Sequence, residues 1–265
     1  MNTMVVINIV LLVLLVAVVK LTTHPKSKGW LGERMMAWML RKLNPRQYRV
    51  LNNIYLPKAD GTTSQIDHIV VSRFGVFVIE TKTYQGWIFG DAKSRVWTQS
   101  ICKKGFRTAI KNTFQNPIRQ NYAHLCAIEN CTGIPKAVMH PVIAFSGEGT
   151  FKTPRPEGVC YFGGVVEYIK SFTLPIIKEK QVDEIATAIL EWQATLTKGQ
   201  IAAHVGNLKK RHEGVSASDP APKCPYCGAP TVRRVRKSDG NSFYGCSKYP
   251  VCKGIVNIRD LTPTC

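Results

Sequence analysis

The sequence predicts an α/β (α+β) fold: a mixed sheet flanked by helices, with a transmembrane helix before it and a small ribbon after it. Three observations carry this expectation. Helix-like and strand-like apolar runs follow one another in an α-β-β-β-α-β order between residues 28 and 196, which places sheet and helix in one core. Cys224-x2-Cys227 and Cys246-x5-Cys252 form a closed set of four thiols near the other end of the chain. Met4 to Val19 is an apolar run broken only by Asn8 and ended by Lys20.

The apolar run covers about 25 Å as a helix, close to the thickness of a bilayer core. MNT carries no charged side chain, no A-x-A site follows, and Lys20, Lys26, Lys28, Arg34, Arg41 and Lys42 all lie on the C-terminal side. That pattern predicts one uncleaved anchor over residues 4–20 with the remainder in the cytoplasm. The alternative is a buried helix of the soluble domain. GWLGERMMAWMLRKL then reads as an amphipathic helix and RVLNNIYLP as a strand. IDHIVVSRFGVFVIETK gives two β-rich runs around a turn near Arg73 to Gly75. GWIFG and RVWTQ add two short strands, NPIRQNYAHLCAIENC is helical with Pro117 near its start, AVMHPVIAFS is a buried strand, and KQVDEIATAILEWQATL closes the domain as a helix. Residues 197–221 turn basic and rich in Ser, Ala and Pro, as a linker does.

Residues 222–258 read as a zinc ribbon. A structural Zn(II) takes four thiolates in a tetrahedron, and the C-x-x-C turn at Cys224–Cys227 presents two sulfurs from one tight loop. Gly228 suits that turn, and the segment has too few large apolar residues to fold without a metal. Four protein ligands close the site, so this metal holds a fold and performs no catalysis. The other five cysteines are an odd, scattered set, as in a reducing compartment.

The net charge is +19, and from Lys198 to Arg259 twelve Lys or Arg face three acids. Such a field draws in a polyanion, either nucleic acid or an anionic membrane surface. No G-x-x-x-x-G-K-[ST] loop occurs, so the chain is expected to use no nucleotide cofactor. The six histidines show no ligand spacing, and His68 is expected to be structural. Trp87 and Trp97 read as core or sheet-surface packing.

The hairpin carries the candidate chemistry. Glu80 and Lys82 share a strand face. A two-residue loop at 74–75 pairs Asp67 with Lys82, a four-residue loop pairs it with Glu80, and both registers put the three on one face. Two carboxylates and an ammonium at strand ends suit a hard cation such as Mg(II) or Mn(II), with the lysine orienting water or meeting phosphate charge. The alternative is a surface salt bridge on an ordinary hairpin. Replacing the acids by their amides is expected to leave the fold intact.

The stretch from Trp30 to Gln120 resembles the NERD (nuclease-related) domain, a branch of the PD-(D/E)xK nucleases. The matching strings are the G-E pair at Glu33, VLNNIYLP, QIDHIVVSRFGVFVIETK, GWIFG and QNPIRQ. The resemblance implies a restriction-endonuclease-like sheet, Asp67 and Glu80 as metal ligands, and Lys82 as the catalytic lysine. It also implies site roles for Glu33, Gln65 and Gln120, and metal-dependent hydrolysis of DNA.

KCPYCGAPTVRRVRKSDGNSFYGCSKYPVCKG resembles the C4 zinc finger of bacterial type I DNA topoisomerases. That resemblance implies DNA binding, largely single-stranded. Independently, Arg233, Arg234, Arg236 and Lys237 could line a phosphate path while Phe243, Tyr244 and Tyr249 offer faces to bases. With the anchor expected at residues 4–20, the two resemblances imply a bacterial inner-membrane, single-pass protein that acts on DNA. The rival expectation is a non-catalytic DNA tether.

Overall fold

The computed structural model describes residues 25–58, 62–102, 109–197, 199–202, 222–235 and 242–257. The expected anchor at 4–20 lies outside them, as does most of the 197–221 linker. Among the described residues no helix is long and apolar enough to cross a membrane. The chain divides into two compact units, Met1–Ile201 and Ala202–Cys265.

The first unit is built on a five-stranded mixed sheet in the order β1-β2-β3-β7-β9. Its strands are β1 (Tyr48–Pro57), β2 (Thr63–Ser72), β3 (Gly75–Lys82), β7 (Met139–Phe145) and β9 (Val159–Tyr161). β1, β2 and β3 run antiparallel, and β7 and β9 continue parallel to β3. One face packs Val76, Val78, Ile69 and Val71 against helices α2 (Pro117–Thr132) and α4 (Glu179–Thr195), through Leu125, Ile128, Val182 and Ile189. The other packs Val70, Phe77, Ile79 and Val142 against α1 (Pro25–Leu40) and α3 (Phe162–Lys170), through Met36, Leu40, Val165 and Ile169. β3 is covered on both faces, which explains why VFVI is continuously apolar.

A second sheet, β6-β5-β4-β8, is made of β4 (Gly86–Phe89), β5 (Val96–Ile101), β6 (Ile110–Gln115) and β8 (Gly149–Phe151). Its fully buried Trp97 stacks on Phe145 of β7, with ring centroids 5.9 Å apart. Gly90 is required beside it, because a Cβ there would meet the indole at 2.2 Å. Trp87 instead lies 46 % exposed, with the Lys152 ammonium over its ring.

The β2–β3 turn corrects the expected loops. Ser72 pairs with Gly75, so the loop is Arg73–Phe74, and the ladder stops at His68–Ile79, one position short of Asp67 and Glu80. Gly75 stands just after the loop at φ 130°, with the His140 ring 2.5 Å from where a Cβ would be, so the strand must restart there. Strict alternation also fails along β2, because Ile66 and Ile69 both enter the same core cluster. The slip lies at Asp67–His68, beside the left-handed Asn53 of β1 at φ 55°.

The second unit is a three-stranded antiparallel ribbon, β10 (Thr231–Val235), β11 (Ser242–Cys246) and β12 (Ile255–Asn257).

Candidate active site

Where β2 and β3 part, their ladder ends at His68–Ile79, and side chains replace the missing strand bonds. Asp67 Oδ2 accepts the Thr81 N–H at 2.8 Å and the Thr81 hydroxyl at 2.8 Å. Both of these bonds fall on Oδ2. β3 itself remains paired to β7 as far as Lys82, which holds Glu80 and Lys82 on rigid backbone.

Glu80 is 3 % exposed, and both of its carboxylate oxygens have partners. Lys82 Nζ donates to its Oε1 at 2.6 Å, and Gln120 Nε2 donates to the same oxygen at 2.7 Å. Lys82 also donates to Gln120 Oε1 at 3.0 Å, which closes a triangle. On the other oxygen, His124 Nε2 lies 3.1 Å from Oε2, and His124 Nδ1 lies 2.7 Å from Ser64 Oγ.

α2 delivers Gln120 and His124 from one helical face, since they are one turn apart. Asn116 caps that helix by accepting from Ile118 N at 2.9 Å and donates to Ser94 O at 2.6 Å, tying the helix start to the β4–β5 loop. Asn121, fully buried, donates to Val78 O and Val142 O and fixes the helix to the sheet.

α1 brings Glu33. A Cβ on Gly32 would lie 2.2 Å from Thr83 Cγ2, so glycine there lets the helix close on the end of β3. Tyr55 on β1 adds a phenol whose pKa is raised by burial and by the charges of Glu33 and Asp67.

The electrostatics divide the site. Burial, then Glu80 and Glu33, push the Asp67 carboxyl up to about 8. Glu33 is likewise raised, by burial first and the Glu80 charge next. Burial also works against the Glu80 carboxylate, yet Lys82 and His124 outweigh it and hold the group down at about 2. The Lys82 ammonium is penalised by burial but kept above its ordinary range by Glu80. One lysine faces three carboxyls: Glu80 keeps the negative charge, while crowding favours the protonated forms of Asp67 and Glu33.

Five of the six hairpin-site residues therefore gather: Glu80, Lys82 and Gln120 by contact, and Asp67 and Glu33 through their charges. Gln65 turns away and donates to Asn53 Oδ1 at 3.0 Å, because the irregular β1 backbone offers it that partner. His124, Ser64, Thr81 and Tyr55 were not legible as site residues. Only the Gln120–His124 spacing on one helix offered a signal. His68 is buried against Asn52 and lowered to about 4 by burial, so it is neutral and structural.

In the ribbon, Cys224, Cys227, Cys246 and Cys252 converge with all sulfurs within 4.8 Å of one another. The pairs Cys224–Cys252 and Cys227–Cys246 lie 3.7 and 3.5 Å apart. A tetrahedron with Zn–S bonds of about 2.3 Å has edges of about 3.8 Å, so the spacing suits a structural metal such as zinc. Gly228 at φ 66° makes the first turn, and Gly254 packs so close that a Cβ would meet Cys224 Sγ at 2.2 Å. Among the described residues no other group of three or more His, Cys, Asp or Glu ligand atoms converges this tightly, so the hairpin acids are more widely spread.

Tyr249 is 59 % exposed, with the Arg234 guanidinium over its ring at 5.5 Å. Tyr244 corrects the expectation: at 7 % exposed it belongs to the ribbon interior and has no face left for a base. Phe243 is half-buried. Tyr226, overlooked in the sequence, is 80 % exposed beside the thiolates. The Arg233 side chain, Arg236 and Lys237 lie outside the described residues.

Residues 28–146 match the family model of the nuclease-related domain, NERD. An uncharacterized protein of Bacillus anthracis is 39 % identical over 171 residues, spanning 63 % of this chain and 77 % of its own length. No solved structure matches. The chain belongs to the nuclease-related domain family, with that domain at residues 28–146.

Proposed function

We propose that the protein is a metal-dependent nuclease that hydrolyses DNA phosphodiesters, anchored in a membrane by residues 4–20 and gripping DNA through its ribbon. The observation that carries this reading is the Lys82 ammonium 2.6 Å from Glu80, with the Asp67 carboxyl feeling the Glu80 charge just beyond the end of the β2–β3 ladder.

The residues fit a divalent cation. Asp67 holds a proton up to about pH 8 because burial and two neighbouring carboxylates oppose its charge, and a cation in that field takes the proton's place. Asp67 Oδ1 would be one donor. A carboxylate has about four lone-pair positions, and Glu80 has three engaged, which leaves one for the metal. Glu33, which shares their field, would hold a water of the metal's shell. Magnesium or manganese would supply a Lewis acid for phosphoryl oxygen and an acidified water.

The protein's own groups do the rest. Lys82, oriented by both Glu80 and Gln120, sets its ammonium where charge develops on the phosphate. Gln120 and His124 hold the Glu80 carboxylate in one orientation. In the ribbon, Tyr249 and Tyr226 offer faces to bases, and the basic residues supply salt-dependent attraction, including for single strands.

The test is cleavage of single- and double-stranded DNA and of RNA by the full chain with Mg(II) or Mn(II). The expected result is metal-dependent hydrolysis that Asp67→Asn and Lys82→Ala each abolish while DNA binding survives. One observation favours a second reading, a non-catalytic DNA tether. Glu80 is so fully hydrogen-bonded that the cluster would also serve as a structural network. Absence of cleavage by the wild type with every divalent metal selects the tether.

A further inference from the structure

Among the described residues, the outward face of α1 has no partner. At 100° per residue, Trp30, Arg34, Trp38, Leu31 and Met35 fall within an arc of roughly 140°, opposite the Met36 and Leu40 face that enters the core. Trp30, Leu31, Met35 and Trp38 are 57, 51, 48 and 59 % exposed. Cations sit among them: Arg34 lies over the Trp30 ring at 4.8 Å, and Lys42 lies over Trp38 at 5.5 Å. α1 itself puts no acid on this face, and Glu148 pairs with the helix's Lys28 at 3.5 Å. The only acid of the helix, Glu33, points to the active site.

We infer that this face of α1 lies on the surface of an anionic lipid bilayer. Tryptophans with apolar bodies and polar tips, interleaved with long cationic side chains, match the interface between headgroups and acyl chains. Two independent features select lipid as the occupant. Every charge on the face is positive, so a second copy of the chain docked there would bring like charges together, whereas anionic headgroups complement them. In the sequence, an apolar run ends at Val19, only a few residues before α1 begins at Pro25, which delivers the helix to a membrane surface at once. The inference rests on the reading of residues 4–20 as an anchor. Its consequence is that the helix carrying Glu33 into the active site is held by the bilayer on its other side.

The experiment reconstitutes the full chain in phosphatidylcholine–phosphatidylglycerol vesicles with brominated or ordinary acyl chains. Flotation reports the anchor, and quenching of tryptophan emission by bromine reports the helix face. The expected result is flotation together with a loss of emission of up to about two fifths, because two of the five tryptophans lie on this face. The Trp30→Tyr/Trp38→Tyr variant should float and lose the quenching. Arg34→Glu/Lys42→Glu should float through the apolar run, with its docked fraction reduced on the order of tenfold. Flotation without quenching of the wild type overturns the docking and leaves the anchor standing. Quenching that persists in the double tyrosine variant places other tryptophans on the lipid and overturns it too. A chain that fails to float refutes anchor and docking together. Crosslinking between copies through this face, without quenching, assigns it to a second copy instead.

Discussion

Asp67→Asn should make the metal-free protein more stable while removing its cation site. Asp67 is ionised in the unfolded chain at neutral pH but holds its proton in the fold up to about pH 8, against an ordinary 3.8. A carboxyl whose folded pKa lies above its unfolded value binds more protons in the folded state across that window. Stability therefore falls as pH rises from about 4 to about 8. At about 1.4 kcal/mol per pH unit the ceiling at neutral pH is about 4 kcal/mol, and the partial exposure of Asp67 lowers the expectation to about 1–2 kcal/mol. Asparagine keeps an oxygen for the two Thr81 donors, so little is lost in exchange. Urea unfolding in chelator, followed by tryptophan emission, reads this directly, because Trp30, Trp38, Trp87, Trp97 and Trp192 all lie in the first unit. The gain should be near zero at pH 4 and largest near pH 8. Added Mg(II) or Mn(II) should raise the stability of the wild type and not of the variant. A variant less stable than wild type at pH 8, or a gain independent of pH, would refute the charge-crowding argument.

Glu80→Gln should behave in the opposite way, despite the isosteric change. Glu80 is held at about 2 by Lys82 and His124, so its contribution is present above the ordinary 4.5 and lost as pH falls toward 2. Its removal leaves the Lys82 ammonium buried without a counter-charge and should cost about 3 kcal/mol by the same unfolding assay. Lys82→Ala should lower cleavage at least about 100-fold, the scale of losing one electrostatic contact in the transition state, with DNA retention on a gel unchanged. For the ribbon, mass spectrometry of the native chain should find one Zn(II). Chelation or Cys246→Ser should unfold it and weaken DNA binding while tryptophan emission from the first unit stays constant.

The amide variants show where sequence reasoning about the hairpin stopped. Asp67, Glu80 and Lys82 were legible because a strand has period two and a hairpin brings its ends together, so either allowed register gathers them. Their unequal charge states were not. That inequality arises because α2 supplies Gln120 and His124 to Glu80, while α1 supplies only a further carboxylate to Asp67. It makes one amide change stabilising and the other destabilising, where the local motif predicts two harmless ones.

The sequence by itself determined the long periodic elements, the four thiolates and the acidic hairpin, because each is written in local spacing: 3.6 for helices, two for strands, C-x-x-C for a metal turn. It passed over β6, β8, β9 and α3. Two of these strands have only three residues, too short for a period to emerge, and α3 carries Gly163 and Gly164 among its apolar positions. Tertiary structure alone decided the rest. The parting of β2 and β3, the close approach permitted by Gly32 and the cap at Asn116 bring chain segments tens of residues apart onto one carboxylate. The partners that this packing gives each carboxyl, which no local pattern encodes, set which acid keeps its proton.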